Sequence, residues 1–374
     1  MQEKNTRNDD TTKSRNIIII QPALPAYRID FFERVAKKLC EQFTVYYSRT
    51  NLGVLTSEDR TYTWAKPIGP IKPLFRGVEW QSNVLSIPIR RGDLIIVSGA
   101  PRCLSNLILL TYARLRGAKT VWWGHLWSGT SKKYRFLLRL MLMKMAHALL
   151  FYTDAEINAY RSRYGQKDSR LITALNNGIN IDQIKVLRTE YAEHARKNKL
   201  LFIGRVTDKA ELHLLLHALE KPECGLMVLH IIGDGPKKPE LIDLANRLKI
   251  TNRIFWHAAT TDETKIAAIA NQCGAFVYPG GVGLSLIHAM AYGLPAIVHD
   301  DRLTHMPEID AFQQSETGVT FHKGDIDSLA KTIEKISSQS GLIAMSYKSI
   351  ERIENFFNTE KMAERLLQMV EKLN

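Results

Sequence analysis

Short apolar runs alternate with amphipathic segments along the chain. The runs NIIII (16–20) and DLIIVSG (93–99) have the composition of buried strands, whereas RIDFFERVAKKL (28–39) repeats apolar residues at helical spacing. The alternation is interrupted once, at the turn-rich stretch NNGINIDQ (176–183), and then begins again. Because strands that alternate with helices form mostly parallel sheets covered on both faces, the sequence predicts an α/β protein with two doubly wound domains.

The predicted domain limits follow the same pattern. Residues 1–15 are polar and are predicted to be a disordered tail. Residues 16–178 and 179–350 are predicted to form the two domains, and residues 351–374 to end in a helix that packs back on the first. Two such domains in tandem place the carboxyl ends of both sheets at a shared crevice, where proteins of this class bind ligands.

Positive charge is concentrated in the first half of the chain. Residues 1–180 contain 28 basic and 13 acidic residues, whereas residues 181–374 contain 23 and 25. Residues 101–150 carry nine basic residues and no acidic one. Such a surface attracts an anionic partner such as lipid headgroups, although a solvated basic face without a partner is the alternative. Nucleic acid is not expected, because no recognised binding motif accompanies the charge.

Cysteine usage and the amino terminus bear on the compartment. The cysteines are far apart and form no C-x-x-C pair, which argues against a disulfide framework or a zinc site; they are Cys40, Cys103, Cys224 and Cys273. The amino terminus lacks the apolar stretch of a signal peptide, and no apolar run approaches the roughly 20 residues that span a bilayer. We therefore expect a cytoplasmic protein, peripheral on the inner face of the membrane.

The segment SKKYRFLLRLMLMKMAHALL (131–150) is the candidate for membrane contact. Its basic and apolar residues fall on different faces of a predicted helix; they are Lys132, Arg135 and Arg139, and Phe136, Leu140 and Met143. This pattern is typical of helices that lie on anionic lipid, so residues 131–145 are predicted to touch the membrane surface. Alternatively, the apolar face covers the sheet of its own domain and only the basic edge touches lipid.

Three motifs at predicted strand ends in the second half suit phosphate chemistry. FIGRVTDK (202–209) places Arg205 and Lys209 after a strand, and IIGDGP (231–236) is a weaker, glycine-rich turn. VYPGGVGLSLIHAMAYGLPAIVHD (277–300) has a glycine turn that opens a helix, where backbone N–H groups can face a phosphate. Its glycines are expected to leave room for the ligand; the candidate contacts are Gly281, Val282, Gly283, Leu284 and Ser285. Solvated cations and a tight turn without a ligand are the alternatives.

In this order and spacing, the motifs resemble the second half of glycosyltransferase family 4, the retaining nucleotide-sugar glycosyltransferases of GT-B fold. The resemblance covers nearly all of residues 199–374, through LLFIGR, IIGDGP, VGLSLIHAMAYGLPAIV, MPEI and TGVTF, and is weaker in LPAYRIDFF, WWGH and NNGIN. It implies two facing Rossmann-like domains, with the acceptor in the first and the donor in the second. It also implies that Arg205 and Lys209 hold the donor diphosphate, although the family's lysine usually stands one position later, at Ala210.

Two positions depart from the family pattern. The family commonly carries two glutamates separated by seven residues, which contact the donor sugar and the nucleotide ribose, but Gly280 and His288 occupy these positions here. His288 is either a contact to a ribose hydroxyl or a phosphate oxygen, or a structural residue bonded within the protein. Glu308, in HMPEID, is the nearest acidic residue that can supply a missing contact; its alternative role is that of a helix-start carboxylate.

Three residues of the first half are predicted to lie at the same crevice. His125 follows the strand VWWG (121–124), and the resemblance implies that it lines the cleft beside the transferred sugar. Tyr27 and Arg28 leave the first strand by the same edge and are predicted to contact the acceptor. Catalytic roles are assigned to His125 and Arg205, and donor contacts to Arg205, Lys209, residues 281–285, His288 and Glu308.

The resemblance implies a retaining glycosyltransferase of the hexosyltransferase class. It would transfer a sugar from a nucleotide diphosphate sugar to a lipid-linked or polysaccharide acceptor, in cell-surface glycan biosynthesis. Because cationic groups can neutralise the leaving diphosphate, neither a metal nor another cofactor is expected. The missing glutamates motivate one alternative, a non-catalytic binding subunit, and a nucleotide-sugar epimerase of the same fold is another.

Overall fold

The structure is a computed structural model of the chain. It describes residues 15–49, 60–75, 77–126, 133–338 and 341–373, with the side chains of 133–135 not included. The predicted disordered tail, apart from Arg15, therefore lies outside the described residues.

The first half of the chain forms a parallel sheet. Its strands are β1 (Ile17–Gln21), β2 (Phe43–Ser48), β3 (Ala65–Ile68), β4 (Ile71–Phe75), β5 (Val78–Gln81), β6 (Leu94–Ser98), β7 (Lys119–Trp123), β8 (Ala148–Phe151) and β9 (Leu171–Ala174). Seven of the described strands pair in the order β3-β2-β1-β6-β7-β8-β9, all parallel, while β4 and β5 form a separate antiparallel hairpin. The helices are α1 (Ile29–Leu39), α2 (Leu104–Leu115), α3 (Lys133–Met143) and α4 (Asp154–Arg163).

The second half repeats this architecture. Its strands are β10 (Lys199–Ile203), β11 (Val228–Ile232), β12 (Ile254–His257), β13 (Ala275–Tyr278), β14 (Ala296–His299) and β15 (Gly318–Phe321). Within the described residues they form a parallel sheet in the order β12-β11-β10-β13-β14-β15. The helices are α5 (Asp182–Leu187), α6 (Glu193–Arg196), α7 (Leu212–Glu220), α8 (Lys238–Arg247), α9 (Glu263–Ala270), α10 (Leu284–Ala291), α11 (Ile326–Ser338), α12 (Leu342–Phe356) and α13 (Thr359–Lys372).

Continuous apolar strands explain why both faces of each sheet are covered. Successive side chains of a strand point to opposite faces, so a run such as Ile17–Ile20 needs a core on each side. Accordingly, Ile17 and Ile19 pack with α1, whereas Ile18 and Ile20 pack with α2. Trp122 and Trp123 separate in the same way, and both are buried. The doubly wound α/β prediction is confirmed.

The chain crosses between the halves twice, at neighbouring positions. The first crossing passes Gly178, where an added Cβ would lie 2.2 Å from the backbone oxygen of Phe357 in the second crossing. Asn358 then caps α13, since its side chain accepts a hydrogen bond from the N–H of Lys361. Helix α13 returns to the first half, where Met362 and Leu366 join the core beside α1. The exact domain limits stay a prediction.

Two further findings concern the surroundings of the chain. Across the described residues, no helix is both long and apolar enough to cross a membrane. Each cysteine has a free thiol, with Cys40 exposed and the other three buried.

Candidate active site

A buried carboxylate lies where the carboxyl ends of the two sheets meet. Glu308 belongs to a 3-10 turn, Pro307–Ala311, that follows β14, and its exposed fraction is 4%. Its Oε1 accepts a hydrogen bond of 2.5 Å from Asn177 Nδ2 of the first crossing. No group among the described residues bonds to the buried Oε2. Because a buried polar atom normally has a partner, this oxygen is available to a ligand.

Burial and nearby positive groups act on this carboxylate in opposite directions. Burial raises the pKa of Glu308, whereas the bond from Asn177 and the charges of His125 and Arg28 oppose the rise. His125 and Arg28 both come from the first half of the chain. The glutamate is therefore electrostatically coupled to residues across the crevice.

The unbonded oxygen lies beside the glycine turn that opens α10. A Cβ built on Gly283 would lie 3.7 Å from Glu308 Oε2 and 3.2 Å from Met306 Cγ. Gly283 is the residue before the first helical residue, Leu284. The carboxylate therefore adjoins a helix start, where backbone N–H groups favour anionic ligands.

Arg28 is held rigidly on the first-half side of the crevice. It lies in a turn, Ala26–Arg28, after β1, and its exposed fraction is 5%. The guanidinium donates to Gln21 Oε1 at 2.7 Å and to the Tyr152 hydroxyl at 3.2 Å. It also lies 4.7 Å from the ring centroid of Trp123, a cation–π contact. Trp123 is thus both a core residue and the support of a charged group.

His125 lies in the loop after β7, stacked on Tyr152 with ring centroids 4.0 Å apart. Glu156 of α4 holds this loop, because its buried carboxylate accepts hydrogen bonds from the N–H groups of Leu126 and Tyr152. His125 Nδ1 is 3.8 Å from Glu156 Oε1. About a third of the imidazole, 34%, remains exposed, so a ligand in the crevice can contact it.

Tyr27 completes a cluster built from both halves. Burial raises the pKa of Tyr27, while the charge of Arg28 opposes the rise and those of Tyr152 and Glu308 add to it. Tyr27, Arg28, His125 and Glu308, which the sequence analysis assigns to one crevice, are thus electrostatically coupled in one cluster.

The predicted diphosphate cations lie in the loop after β10, which contacts the same glycine turn and helix start. Arg205 follows β10 and is exposed, and its charge acts on the half-buried phenol of Tyr278 at the end of β13. Lys209 is exposed in a turn, Asp208–Ala210. A Cβ on Gly204 would lie 3.2 Å from Ser285 Oγ, so the turn before Arg205 touches the first turn of α10.

Two of the glycines have a different role from the one expected. We expected them to leave room for a ligand, but backbone fills that room. A Cβ on Gly280 would lie 2.0 Å from the carbonyl oxygen of Lys209, and one on Gly281 would lie 2.6 Å from that of Thr304. The Gly280 N–H also donates to the Ala210 carbonyl at 3.1 Å. Any side chain at position 280, a glutamate included, is therefore incompatible with this loop arrangement.

A histidine pair holds the middle of the glycine turn. The N–H of Val282 donates to His305 Nδ1 at 3.1 Å, and His305 Nε2 lies 3.0 Å from the His299 carbonyl oxygen. Because Nδ1 accepts, Nε2 must carry the proton. Burial, with the neighbouring His305, lowers the pKa of His299 to about 4. The N–H of Val282 is thus already bonded within the protein. Leu284 and Ser285 are partly exposed and begin the helix.

His288 has a protein partner. Its Nε2 lies 3.0 Å from Oε1 of Glu263, a residue at the start of α9. The same carboxylate accepts a hydrogen bond of 2.8 Å from the Tyr292 hydroxyl. Burial tends to raise the pKa of Glu263, but His288 and Tyr292 outweigh burial and lower it. The structure therefore provides a carboxylate beside position 288 from another helix.

Several of these functional neighbours were missed by the sequence analysis. They are Asn177, Glu156, Glu263 and His305. Asn177 lies in the motif NNGIN and His305 in HMPEID, but the sequence did not indicate which residue either would contact. Glu263 and Glu156 left no signal beyond their positions at helix starts.

Comparison with known proteins identifies the second half. The family model described as glycosyl transferases group 1 matches residues 183–355. Residues 183–355, slightly less than half of the chain, are therefore similar to the group 1 glycosyltransferases. A curated relative, the N-acetyl-alpha-D-glucosaminyl L-malate synthase of Bacillus anthracis, is 25% identical over 135 residues, or 36% of this chain and 34% of the relative. The match thus spans about a third of that protein's length.

Solved structures extend the likeness in fold to nearly the whole chain. A glycosyltransferase from Rickettsia africae has a TM-score of 0.69 and 14% identity, and covers 96% of this chain and 99% of its own. The Anabaena protein HepE, in complex with UDP and glucose, has a TM-score of 0.66 and 12% identity, covering 96% and 100%. At these identities the likeness concerns the fold, and the GT-B prediction is confirmed.

Proposed function

We propose that the protein is a retaining glycosyltransferase that moves a sugar from a nucleotide diphosphate sugar to an acceptor hydroxyl. The observation that carries the proposal is the buried Glu308 carboxylate, with one oxygen unbonded among the described groups, between the start of α10 and the side chains of His125 and Arg28. The group 1 domain supports a nucleotide-sugar donor. The specific family 4 assignment and the retaining outcome belong to this proposal.

The donor diphosphate binds at the start of α10. Arg205 and Lys209 are exposed there, and the turn before Arg205 contacts Ser285. Arg offers a bidentate fork to phosphate oxygens, and Lys adds a point charge. The N–H groups of Leu284 and Ser285 add the positive end of the helix. HepE, whose fold is similar, binds UDP.

Glu308 takes over the contact to the donor sugar that the family assigns to position 280. Its unbonded oxygen accepts a hydrogen bond from a sugar hydroxyl, while Asn177 holds the other. His125, with a third of its ring exposed, lines the opposite side of the sugar. The sugar contact has to come from a residue other than 280, because the backbone of Lys209 excludes a side chain at Gly280.

His288 contacts the nucleotide ribose through Nδ1. Glu263 binds Nε2, so that nitrogen carries the proton and Nδ1 is left as an acceptor for a ribose hydroxyl. The Glu263–His288 pair then replaces the second family glutamate. The same bond would exist if His288 were structural, and the kinetics of a variant distinguish the two roles.

The chemistry needs little more than electrostatic stabilisation. As the bond between the sugar and the diphosphate breaks, negative charge grows on the leaving phosphate, and Arg205, Lys209 and the helix start stabilise it. The leaving phosphate accepts the proton of the attacking hydroxyl on the same face of the sugar, which retains the configuration. No metal or other cofactor is required for this route.

The acceptor is lipid-linked or a polysaccharide, and the protein is cytoplasmic and peripheral on the inner membrane face. On α3, the side chains of Leu137, Leu138 and Met141 are exposed, whereas Met143 is buried. Arg139 bonds inward to the Leu126 carbonyl. Lys132 lies outside the described residues, as does the Arg135 side chain. The apolar outer face of α3 therefore supports lipid contact more than its described basic residue does.

Donor binding and turnover test this function. Thermal shift with UDP, GDP, ADP and dTDP and their sugars identifies the nucleotide, because a ligand raises stability according to its affinity. Arg205→Ala is expected to lower turnover by more than tenfold without unfolding the protein, since a charge-assisted contact is worth about 1.5–3 kcal/mol. Arg247→Ala, at an exposed arginine of α8, is the control. Equal turnover in both variants would refute the diphosphate site.

A second candidate follows from the glycine at position 280. If no other residue supplies the sugar contact of the absent glutamate, the protein binds nucleotide sugar as a non-catalytic subunit. Binding without turnover across a panel of donors and acceptors would favour that function. Conversion of the donor alone, with no acceptor present, would instead indicate an epimerase.

A further inference from the structure

A second cavity opens at the carboxyl edge of the first sheet. It has a volume of about 380 Å³ and lies between the hairpin β4–β5 and the start of α2. Its apolar walls include Pro22, Ile71 and Pro73. Gln81 and Asn106 also line it, and both are almost fully buried, with exposed fractions of 0% and 3%.

Gln81 presents an unused acceptor. Its Nε2 donates to the Gln21 carbonyl and to Ser48 Oγ, each at 2.9 Å. Ser48 Oγ itself donates to the Gly69 carbonyl, so it must accept from Gln81. These bonds fix the orientation of the amide. They leave Oε1 buried, with no partner in the described part of the chain.

Asn106 presents a second acceptor oxygen of this kind. Its Nδ2 lies 3.5 Å from the Ser98 carbonyl oxygen, which can act only as an acceptor. The amide nitrogen therefore faces that carbonyl, and Oδ1 remains buried without a bond to any described group. Two residues that line one cavity thus carry buried amide oxygens with no partner among the described residues, which is uncommon in a folded protein, where buried polar atoms are nearly always paired.

We propose that this cavity binds a neutral saccharide unit of the acceptor. The two amide oxygens accept hydrogen bonds from sugar hydroxyls, while the proline and isoleucine walls contact the C–H faces of the ring. A phosphate dianion or a carboxylate has no proton to give these oxygens, and Arg102, which also lines the cavity, is already paired with Glu79 at 3.1 Å, so an anionic group is disfavoured. That this saccharide belongs to the acceptor rests on the proposed function. That the cavity binds a saccharide does not.

The cavity is connected to the catalytic cluster through one residue. Gln21 accepts from Gln81 through its backbone carbonyl and from Arg28 through its side chain. Pro22, the next residue, lines the cavity. A saccharide bound there would thus be linked through Gln21 to Arg28, whose charge acts on Glu308, which suits an acceptor that extends away from the reacting hydroxyl.

Asn106→Leu is the decisive variant. Replacing Gln81 would also break its bonds to Gln21 and Ser48, but Asn106 has a single long bond to lose. Removing a buried amide with one long bond and an oxygen that has no partner among the described residues is expected to leave the melting temperature unchanged or higher. Asn158→Leu, at an exposed asparagine of α4, is the matched control.

Saturation-transfer NMR on the full chain, with saturating UDP, measures the binding of methyl glycosides of glucose, galactose, mannose and N-acetylglucosamine. We expect at least one to bind, and Asn106→Leu to weaken its binding about tenfold, the effect of one hydrogen bond. The proposal is overturned if none binds, if glucose 6-phosphate binds more tightly, or if Asn106→Leu and Asn158→Leu bind equally well. Glycoside binding in a protein that binds none of UDP, GDP, ADP and dTDP would instead reject the proposed function and retain the saccharide site.

Discussion

The surroundings of Glu308 and Glu263 differ, although each carboxylate lies near one end of the segment from Gly280 to His288. Glu308 is almost fully buried, one of its oxygens is unbonded among the described groups, and burial raises its pKa. Glu263 has a histidine and a tyrosine as partners, and they lower its pKa. Glu263 contacts His288, at the position of one missing family glutamate, and Glu308 lies beside Gly283, three residues after the position of the other.

The difference separates a carboxylate held for a ligand from one that positions another side chain. An unbonded oxygen costs stability, and proteins accept such a cost mainly at functional sites. A satisfied carboxylate stabilises the fold and orients its histidine. Glu308 is therefore expected to act on the donor directly, and Glu263 through His288.

The largest effect is expected from Glu308→Gln. Glutamine keeps the shape and the bond to Asn177 but removes the charge, so kcat/KM should fall about hundredfold, or ~2.7 kcal/mol of transition-state stabilisation. Steady-state kinetics measures this loss. The control is Glu316→Gln, at an exposed glutamate of the same region. Activity within twofold of the parent protein would remove Glu308 from the mechanism.

Gly280→Ala tests why the first family glutamate is missing. The added Cβ would lie 2.0 Å from the Lys209 carbonyl oxygen, so the free energy of unfolding should fall by about 2 kcal/mol. At Gly283 the nearest atom, at 3.2 Å, belongs to the flexible Met306 side chain, and Gly283→Ala should cost less than about 1 kcal/mol. Urea denaturation compares them, and equal losses would contradict the backbone explanation.

His288→Ala separates a ribose contact from a structural role. Loss of one hydrogen bond to the ribose should raise the donor KM about tenfold with little change in kcat. Glu263→Gln keeps the imidazole but weakens its orientation, so a smaller rise in KM is expected. A lower melting temperature with unchanged KM would show that the pair is structural.

The smallest effect is expected in the pH dependence of stability, with opposite signs for the two glutamates. The ordinary pKa of both is 4.5. The lowered pKa of Glu263 stabilises the fold above that value, and this contribution is lost as the pH falls through the folded pKa. The raised pKa of Glu308 means that its contribution is present below pH 4.5 and is lost as the pH rises.

Melting temperatures of the two glutamine variants test these signs. Near neutral pH, Glu308→Gln should melt a few degrees above the parent protein and Glu263→Gln a few degrees below it. The first difference should shrink toward acid pH, and the second should vanish below the folded pKa of Glu263. Differences of the same sign would show that one carboxylate has been assigned the wrong environment.

Local patterns predicted most of the fold but only part of the site. The strand-and-helix alternation is visible in any window of about ten residues, so the two α/β halves follow from the sequence. The exposed cations after β10 and the glycine turn before α10 were also predictable, because a strand end and a helix start are local features. The reason for Gly280 was not, since it lies in the backbone of Lys209, about seventy residues away.

The sequence therefore settled the element types, the fold class and the residues at the strand ends, because periodicity and turn chemistry act over a few neighbours. Tertiary structure alone decided which of those residues meet. Asn177 and Glu308 are 131 positions apart, and their hydrogen bond exists because the two sheets face each other at their carboxyl ends. The unbonded oxygens of Glu308, Gln81 and Asn106 are likewise consequences of burial, which depends on the packing of distant segments.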